Sequence, residues 1–451
     1  MKTLRLSGFG MRGFVGESLT PAAVMDYASA FATFLDGGRV LVGRDTRRSS
    51  PMIHAAALAG LLGAGCEVVD LGVCPAPIVQ FSVPRRSAAG AIVITGGHHP
   101  MGWNAVLLIG PDGRPLDPQA GEAVLDVFHA GGFRRPPWDG LGSVREDASC
   151  GAEYFDALGR FLDVEAIRRA AFTILLDPVG GSGCAYLEPF ARTVGARLVA
   201  VNAEPSGYLA REPEPRPRSA RPLASIVGPL KGDAGFVFSS DMGRLALVTE
   251  RGETPSEEYG FPLVAAHVLG RRIGPVVTNG CTTRTVDDVA AARGAPVIKT
   301  PVGQAYVMAA LEDESGAIGG EGSGSAAVPA FSRAFDGFLM AGLVLEAMAT
   351  ARASLSDLLH ALPRYHIVKR SVPCAPGAGY RALDAVREHA AALPGARIDT
   401  TDGLRIDRDD GWTHVRASRT EPIVRVISEA KDPAAAAARA DELVRLLGQG
   451  T

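Results

Sequence analysis

The chain has 451 residues and a mass of 46.9 kDa, too long for one ordinary domain. Hydrophobic residues make up 47% and charged residues 21%, the balance of a folded protein, which excludes disorder as the main state. Lys and Arg total 46 against 49 Asp and Glu, a net charge of -3, so no global field recruits nucleic acid or an acidic membrane.

The N-terminal residues lack the apolar core of a signal peptide, and no apolar run reaches the roughly 18 residues that span a bilayer. Cys66, Cys74, Cys150, Cys184, Cys281 and Cys374 are scattered without a CxxC pair, the usage of a reducing compartment. The expectation is a soluble, cytoplasmic protein.

Taken in chain order, residues 22–35 carry helical periodicity, 38–43 read as a buried strand, 51–65 as an Ala/Leu-rich helix, and 66–71 and 89–95 as two more strands. Short apolar runs bounded by Gly and separated by helices predict a mainly parallel sheet covered on both faces. The pattern recurs at 172–177, 197–201 and 234–238, and again at 275–278, 296–299 and 317–319. From 368 the strands shorten (404–407, 412–417, 423–430) and one Ala-rich helix closes the chain at 433–447. The reading is three tandem α/β domains and a C-terminal α+β domain, with boundaries 1–138, 139–250, 251–365 and 366–451. The Pro-dense stretch 211–218 is predicted to be an extended loop.

Four loops follow strands and carry polar residues among glycines: Thr95-Gly-Gly-His-His-Pro100, Ser239-Ser-Asp-Met-Gly-Arg244, Gly319-Gly-Glu-Gly-Ser-Gly324 and Arg416-Ala-Ser-Arg-Thr-Glu-Pro422. Ligands of α/β sheets sit outside the carboxyl ends of strands, so one such loop per domain predicts a single shared cleft.

This set and its order, with Gly43-Arg-Asp-Thr-Arg47 and Thr300-Pro-Val-Gly303, resemble the α-D-phosphohexomutase family over essentially the whole chain. The resemblance implies a four-domain architecture around one cleft and phosphoryl exchange through a phosphoserine. That chemistry needs a nucleophilic hydroxyl, a metal held by carboxylates and a proton-transfer group. The chain departs at each place. The family's serine is Gly97; its Asp-Gly-Asp-Ala-Asp-Arg metal loop keeps only Asp241; its Tyr-Asn-Gly-x-Lys is Trp103-Asn-Ala-Val-Leu107; and Ser325 replaces a histidine found in many relatives. At the N-terminus Phe9-Gly-Met-Arg-Gly13 keeps Arg12 without the serine.

The resemblance assigns Arg416, Ser418, Thr420 and Arg425 to phosphate binding, with Arg419 replacing the usual glycine, and Glu321 and Ser323 to the sugar hydroxyls. His98 and His99, as imidazoles titrating near neutrality, are candidate acid and base groups beside Arg12. Arg44, Arg47, Asp241 and Arg244 are further cleft candidates, and a loop-ordering pair of Asp241 with Arg244 is preferred to metal binding.

The expected ligand is a phosphorylated sugar or cyclitol, with no nucleic acid or membrane partner and a homodimer left open. The expected function is an enzyme of altered acid/base chemistry, an epimerase, isomerase or dehydratase without a phosphoserine relay. A non-catalytic phosphosugar-binding protein and a phosphoglucomutase/phosphomannomutase using a histidine nucleophile are the alternatives. No cofactor is expected, because a hard dication wants several oxygen ligands and one carboxylate remains.

Overall fold

All five residues of the strand Gly90–Ile94 are buried, which an apolar Gly-Ala-Ile-Val-Ile run achieves only in a sheet covered on both faces. A computed structural model describes residues 4–374, 378–418 and 423–449. In it this strand lies near the middle of a seven-stranded sheet, in the order Arg5–Ser7, Gly10–Phe14, Trp103–Ile109, Gly90–Ile94, Arg39–Arg44, Glu67–Val73, Ser143–Glu146. The last of these follows the expected boundary at residue 138, yet it pairs in parallel with Glu67–Val73 and completes the first sheet.

The second sheet runs Leu245–Thr249, Ala234–Phe238, Thr173–Asp177, Arg197–Ala200, and the third runs Val297–Thr300, Val276–Asn279, Ile318–Glu321, Ser325–Ala327. In each, one edge strand is antiparallel and the remaining pairs are parallel. The fourth sheet is wholly antiparallel, in the order His366–Pro373, Ile423–Ala430, Gly411–Ala417, Leu404–Arg408, Arg397–Asp399, and carries the helices Ala378–Ala391 and Pro433–Gln449. The Pro-dense stretch is not wholly extended. Pro217 opens the helix Pro217–Val227, where its missing N–H is no loss.

One apolar core joins the first three domains. It runs from Leu41, Ile78 and Val93 through Tyr154 and Phe190 to Phe238, Phe261 and Phe338. The helix Gly337–Ala351 sits inside it, buried from Gly337 to Met348 without interruption. The fourth domain has its own core of Val372, Val386, Leu404, Val415, Val426 and Leu443. It meets the third domain through polar contacts instead: Arg284 N–H donates to Glu429 Oε1 (2.8 Å), the Arg284 side chain reaches the carbonyls of Arg408 and Asp409, and Arg405 donates to the Gly280 carbonyl. Three domains thus share a body, and the fourth is held by a separate polar seam.

Candidate active site

The 95–100 loop is built around a buried ion pair. Arg47 and Asp45 are fully buried, with Arg47 Nε 3.2 Å from Asp45 Oδ2. Asp45 accepts from the Thr95 hydroxyl (2.9 Å) and the Gly96 amide (3.1 Å). The Arg47 guanidinium donates to the carbonyls of Gly97 (3.0 Å), His99 (2.6 Å), Pro100 (2.8 Å) and Trp103 (3.1 Å). Gly96 is required there, since a Cβ would stand 2.3 Å from the guanidinium carbon. Arg47 is therefore the scaffold of the loop. Arg44 borders a different groove, with His54, Asp70, Glu146 and Asp147, so it is not gathered into this cluster.

The loop interlocks with the second domain. Ser240 Oγ donates to the Gly97 carbonyl (2.7 Å), and Asp241 Oδ1 accepts from Ser239 Oγ (2.6 Å) and the Gly243 amide (3.2 Å). Asp241 Oδ2 faces Gly97: a Cβ built there would lie 3.0 Å from it. Arg244 does not pair with Asp241 as expected. It pairs with Glu214 at 3.1 Å, because the segment before Pro217 brings that carboxylate to its side.

Arg12 enters from the neighbouring strand Gly10–Phe14 and donates to His99 Nε2 (3.2 Å), which puts the proton of a neutral His99 ring on Nδ1. The two imidazole rings lie 4.4 Å apart. Burial, Arg12, Arg244 and other arginines push His99 down to about 3, and burial with Arg244, His99, Arg12 and Arg216 holds His98 well below the ordinary histidine range. The expectation that these rings titrate near neutrality is corrected: burial first, and the neighbouring arginines second, disfavour the imidazolium of both.

Two further loops join this pair. The Leu245 amide donates to the Gly324 carbonyl (2.8 Å), tying the 239–245 segment to the 319–325 loop. Glu321, buried, accepts from the Gly303 amide (2.9 Å), and Ser323 Oγ lies 3.5 Å from Ser325 Oγ. Phe9 stacks edge-on against Tyr306 at 5.7 Å, so the N-terminal hairpin touches the third domain. In the fourth domain Arg416 and Arg425 are direct partners on adjacent antiparallel strands, which puts their side chains on one face. The Ser418 amide donates to the Ile423 carbonyl (2.9 Å). Arg419 and Thr420 lie outside the described residues.

Sequence reasoning missed Asp402 and His414. Asp402 accepts from the Val302 amide (2.9 Å) and lies 3.7 Å from Arg416. His414 spans from Cys281 Sγ (3.1 Å) to the Asp402 carbonyl (2.6 Å), with Nε2 as the donor. Only the docking of the fourth domain brings these groups together, so no local pattern marks them.

Four segments match, in order, the descriptions phosphoglucomutase/phosphomannomutase alpha/beta/alpha domain I (residues 6–135), domain II (152–252), domain III (258–365) and the C-terminal domain (372–446). A phosphoglucomutase/phosphomannomutase of Thermococcus kodakarensis is 36% identical over 432 residues, covering 94% of each chain. The chain belongs to the phosphoglucomutase/phosphomannomutase family. A member of this family from Burkholderia thailandensis has the same fold, with a TM-score of 0.86 at 24% identity, over 99% of this chain and 98% of that one. An N-acetylphosphoglucosamine mutase of Aspergillus fumigatus, solved in complex with GlcNAc-6P and magnesium, shares the fold at a TM-score of 0.59 and 12% identity, over 94% and 96% of the two chains.

Membership in a phosphohexomutase family corrects the expectation that no cofactor is used, since phosphohexomutases use Mg2+. The physical premise was too strict. Mg2+ keeps several waters and is commonly held by one or two carboxylates plus substrate phosphate, a set to which Asp241 would contribute the carboxylate. Among the described residues no cluster of three or more His, Cys, Asp or Glu forms such a cage. No described helix is long and apolar enough to cross a membrane.

Proposed function

We propose that this phosphohexomutase-family chain is a phosphohexose mutase in which His98 carries the phosphoryl group that a serine carries elsewhere. The observation that supports it is the place of His98: it adjoins Gly97, which faces Asp241 Oδ2, its ring lies 4.4 Å from that of His99, and burial with Arg244, His99, Arg12 and Arg216 favours its neutral form. His99 is the weaker candidate, because Arg12 already donates to its Nε2. The epimerase or dehydratase reading finds no support among the relatives, which are named phosphoglucomutase/phosphomannomutase and probable phosphoglucosamine mutase.

In this reading a neutral His98 nitrogen attacks the phosphorus of a hexose bisphosphate. The P–N bond forms as the P–O bond to the sugar breaks; the sugar oxygen gains a proton and the ring releases its N–H proton. The phosphoenzyme then gives its group to the free hydroxyl of a hexose monophosphate; the resulting bisphosphate reorients in the cleft and returns its other phosphoryl group to His98, leaving the isomeric monophosphate. Arg416, Ser418 and Arg425 anchor the distal phosphate, and Glu321 and Ser323 receive the sugar hydroxyls. Asp241 together with a substrate phosphate would hold Mg2+, which neutralises phosphoryl charge when bound.

The test uses glucose 1,6-bisphosphate radiolabelled at phosphorus. The expected result is an acid-labile, alkali-stable label on the 95–100 peptide that His98→Ala abolishes, with interconversion of hexose 1- and 6-phosphates seen by phosphorus NMR. Label that survives in His98→Ala, or interconversion without any phosphoenzyme, overturns it.

A further inference from the structure

The middle residue of the sugar loop rests on a buried carboxylate that the mutase reading does not use. Glu258 is 3% exposed. A Cβ at Gly322 would stand 1.8 Å from Glu258 Oε2, so the carboxylate fills the space that a side chain at 322 would take. The same oxygen accepts from the Thr283 amide (3.2 Å), and Thr282, its neighbour, accepts from the Gly322 amide (3.1 Å). On its other side Glu258 meets Lys369 Nζ at 2.7 Å. Lys369 belongs to the strand His366–Pro373, the entry into the fourth domain, and also reaches Glu257 at 3.1 Å.

We infer that Glu258 is a positioning residue which, through Gly322 and Lys369, sets the sugar loop against the domain that carries the phosphate-binding arginines. The inference rests on the phosphosugar reading of that loop and deepens it. Two features of the site follow. Glycine at 322 is dictated from beneath, because any side chain collides with the carboxylate. The loop's placement also depends on the charge of a group remote from the ligand. Burial pushes the Glu258 carboxyl up to about 7, against the pull of Lys369 and with Glu257 and Glu429 adding to the rise. The charged and titratable groups facing it are Glu257 beside it, Lys369 on the entry strand and Glu429 on Ile423–Ala430. Tyr259, Arg364 and His366 line the adjoining cavity with it. As Glu258 ionises, its bonds to Lys369 and Thr283 strengthen and the loop tightens.

The experiment measures hydrogen exchange of the whole ligand-free chain and its titration with glucose 1,6-bisphosphate, for wild type, Glu258→Gln, Lys369→Met, Gly322→Ala and Gly322→Ala/Glu258→Ala. Losing one charged hydrogen bond corresponds to about a tenfold loss of protection at residues 319–325 and about a tenfold weaker binding in Glu258→Gln and Lys369→Met. Glu258→Ala placed in the Gly322→Ala background restores binding partway, since it vacates the colliding carboxylate. Wild-type affinity rises between about pH 6 and 8 more steeply than that of Glu258→Gln. Unchanged exchange at 319–325 in folded variants overturns the inference, and so does changed exchange with unchanged affinity. A wild-type chain that fails to bind the bisphosphate sinks the phosphosugar reading instead, and the exchange data then decide the role of Glu258 alone.

Discussion

Glu321 and Asp402 accept hydrogen bonds from two successive amides of one turn, those of Gly303 and Val302, each at 2.9 Å. One carboxylate belongs to the 319–325 loop and the other to the fourth domain, where it also faces Arg416 at 3.7 Å. The turn 300–303 thus ties Glu321 of the third domain to Asp402 and Arg416 of the fourth. Asp402→Ala removes a charged acceptor worth about 1.5–3 kcal/mol, so binding of glucose 1,6-bisphosphate weakens about tenfold or more while the first three domains keep their core. Calorimetric titration checks the affinity, and near-ultraviolet circular dichroism checks the core.

Arg47 is a buried cation whose removal the fold tolerates poorly. It neutralises buried Asp45 and donates to four carbonyls of the 97–103 segment. Arg47→Met leaves the buried Asp45 carboxylate without its cation and the four carbonyls without the guanidinium, a loss of about 3–5 kcal/mol. Urea unfolding is expected to show this loss, together with disappearance of phosphoryl labelling on the 95–100 peptide.

The depressed imidazoles set a pH dependence with a definite sign. Unfolded rings take up protons as pH falls through about 6.5, whereas folded His99 waits until about 3 and folded His98 also lies well below its ordinary value. The stability they contribute is complete above about 6.5 and declines on acidification, by up to about 1.4 kcal/mol per pH unit for each ring. Urea midpoints between pH 8 and 5 are expected to fall, and His99→Gln is expected to flatten the slope. Labelling of His98 is expected to persist at pH 5, where an ordinary histidine would be protonated.

Much of this was legible in the sequence because it is local. The runs at 172–177, 234–238 and 423–430 are apolar and bounded by turns, and they are strands, while the glycine-rich stretches after strands form the interlocked loops. The hairpin Arg5–Ser7 and Gly10–Phe14 was not legible, since its residues do not alternate and its pairing with Trp103–Ile109 is remote in sequence. Nor could residue type separate Arg12, Arg44 and Arg47. One meets His99, one borders an outer groove and one is buried, and tertiary position alone decides which. The downward shift of His98 and His99 was equally hidden, because it follows from burial and from Arg12 and Arg244, which come from separate segments.

Gly97 has φ +52, the left-handed region that L side chains adopt at a cost of about 1–2 kcal/mol. Restoring the family's serine is therefore expected to lower stability by about that amount. It also brings the new side chain against Asp241 Oδ2, 3.0 Å from its Cβ. The expected result for Gly97→Ser is a lower urea midpoint, no acid-stable phosphoserine and a label that remains acid-labile. Mass spectrometry of the 95–100 peptide after incubation with the bisphosphate distinguishes the two linkages.

Metal dependence separates this site from one with a preformed cage. If Asp241, the one carboxylate of the 239–244 loop, holds Mg2+ while Ser239 donates to its Oδ1, the affinity would depend on a substrate phosphate as a further ligand. Turnover of hexose phosphate is expected to cease in EDTA and return on adding Mg2+. The free chain is expected to bind Mg2+ only weakly and the bisphosphate complex more tightly. Asp241→Asn removes the formal charge, raising the Mg2+ concentration for half-maximal turnover about tenfold or more while leaving the melting temperature within a few degrees of wild type. Turnover titrated against free Mg2+ for both proteins measures this; equal half-saturation would show that Asp241 does not hold the ion.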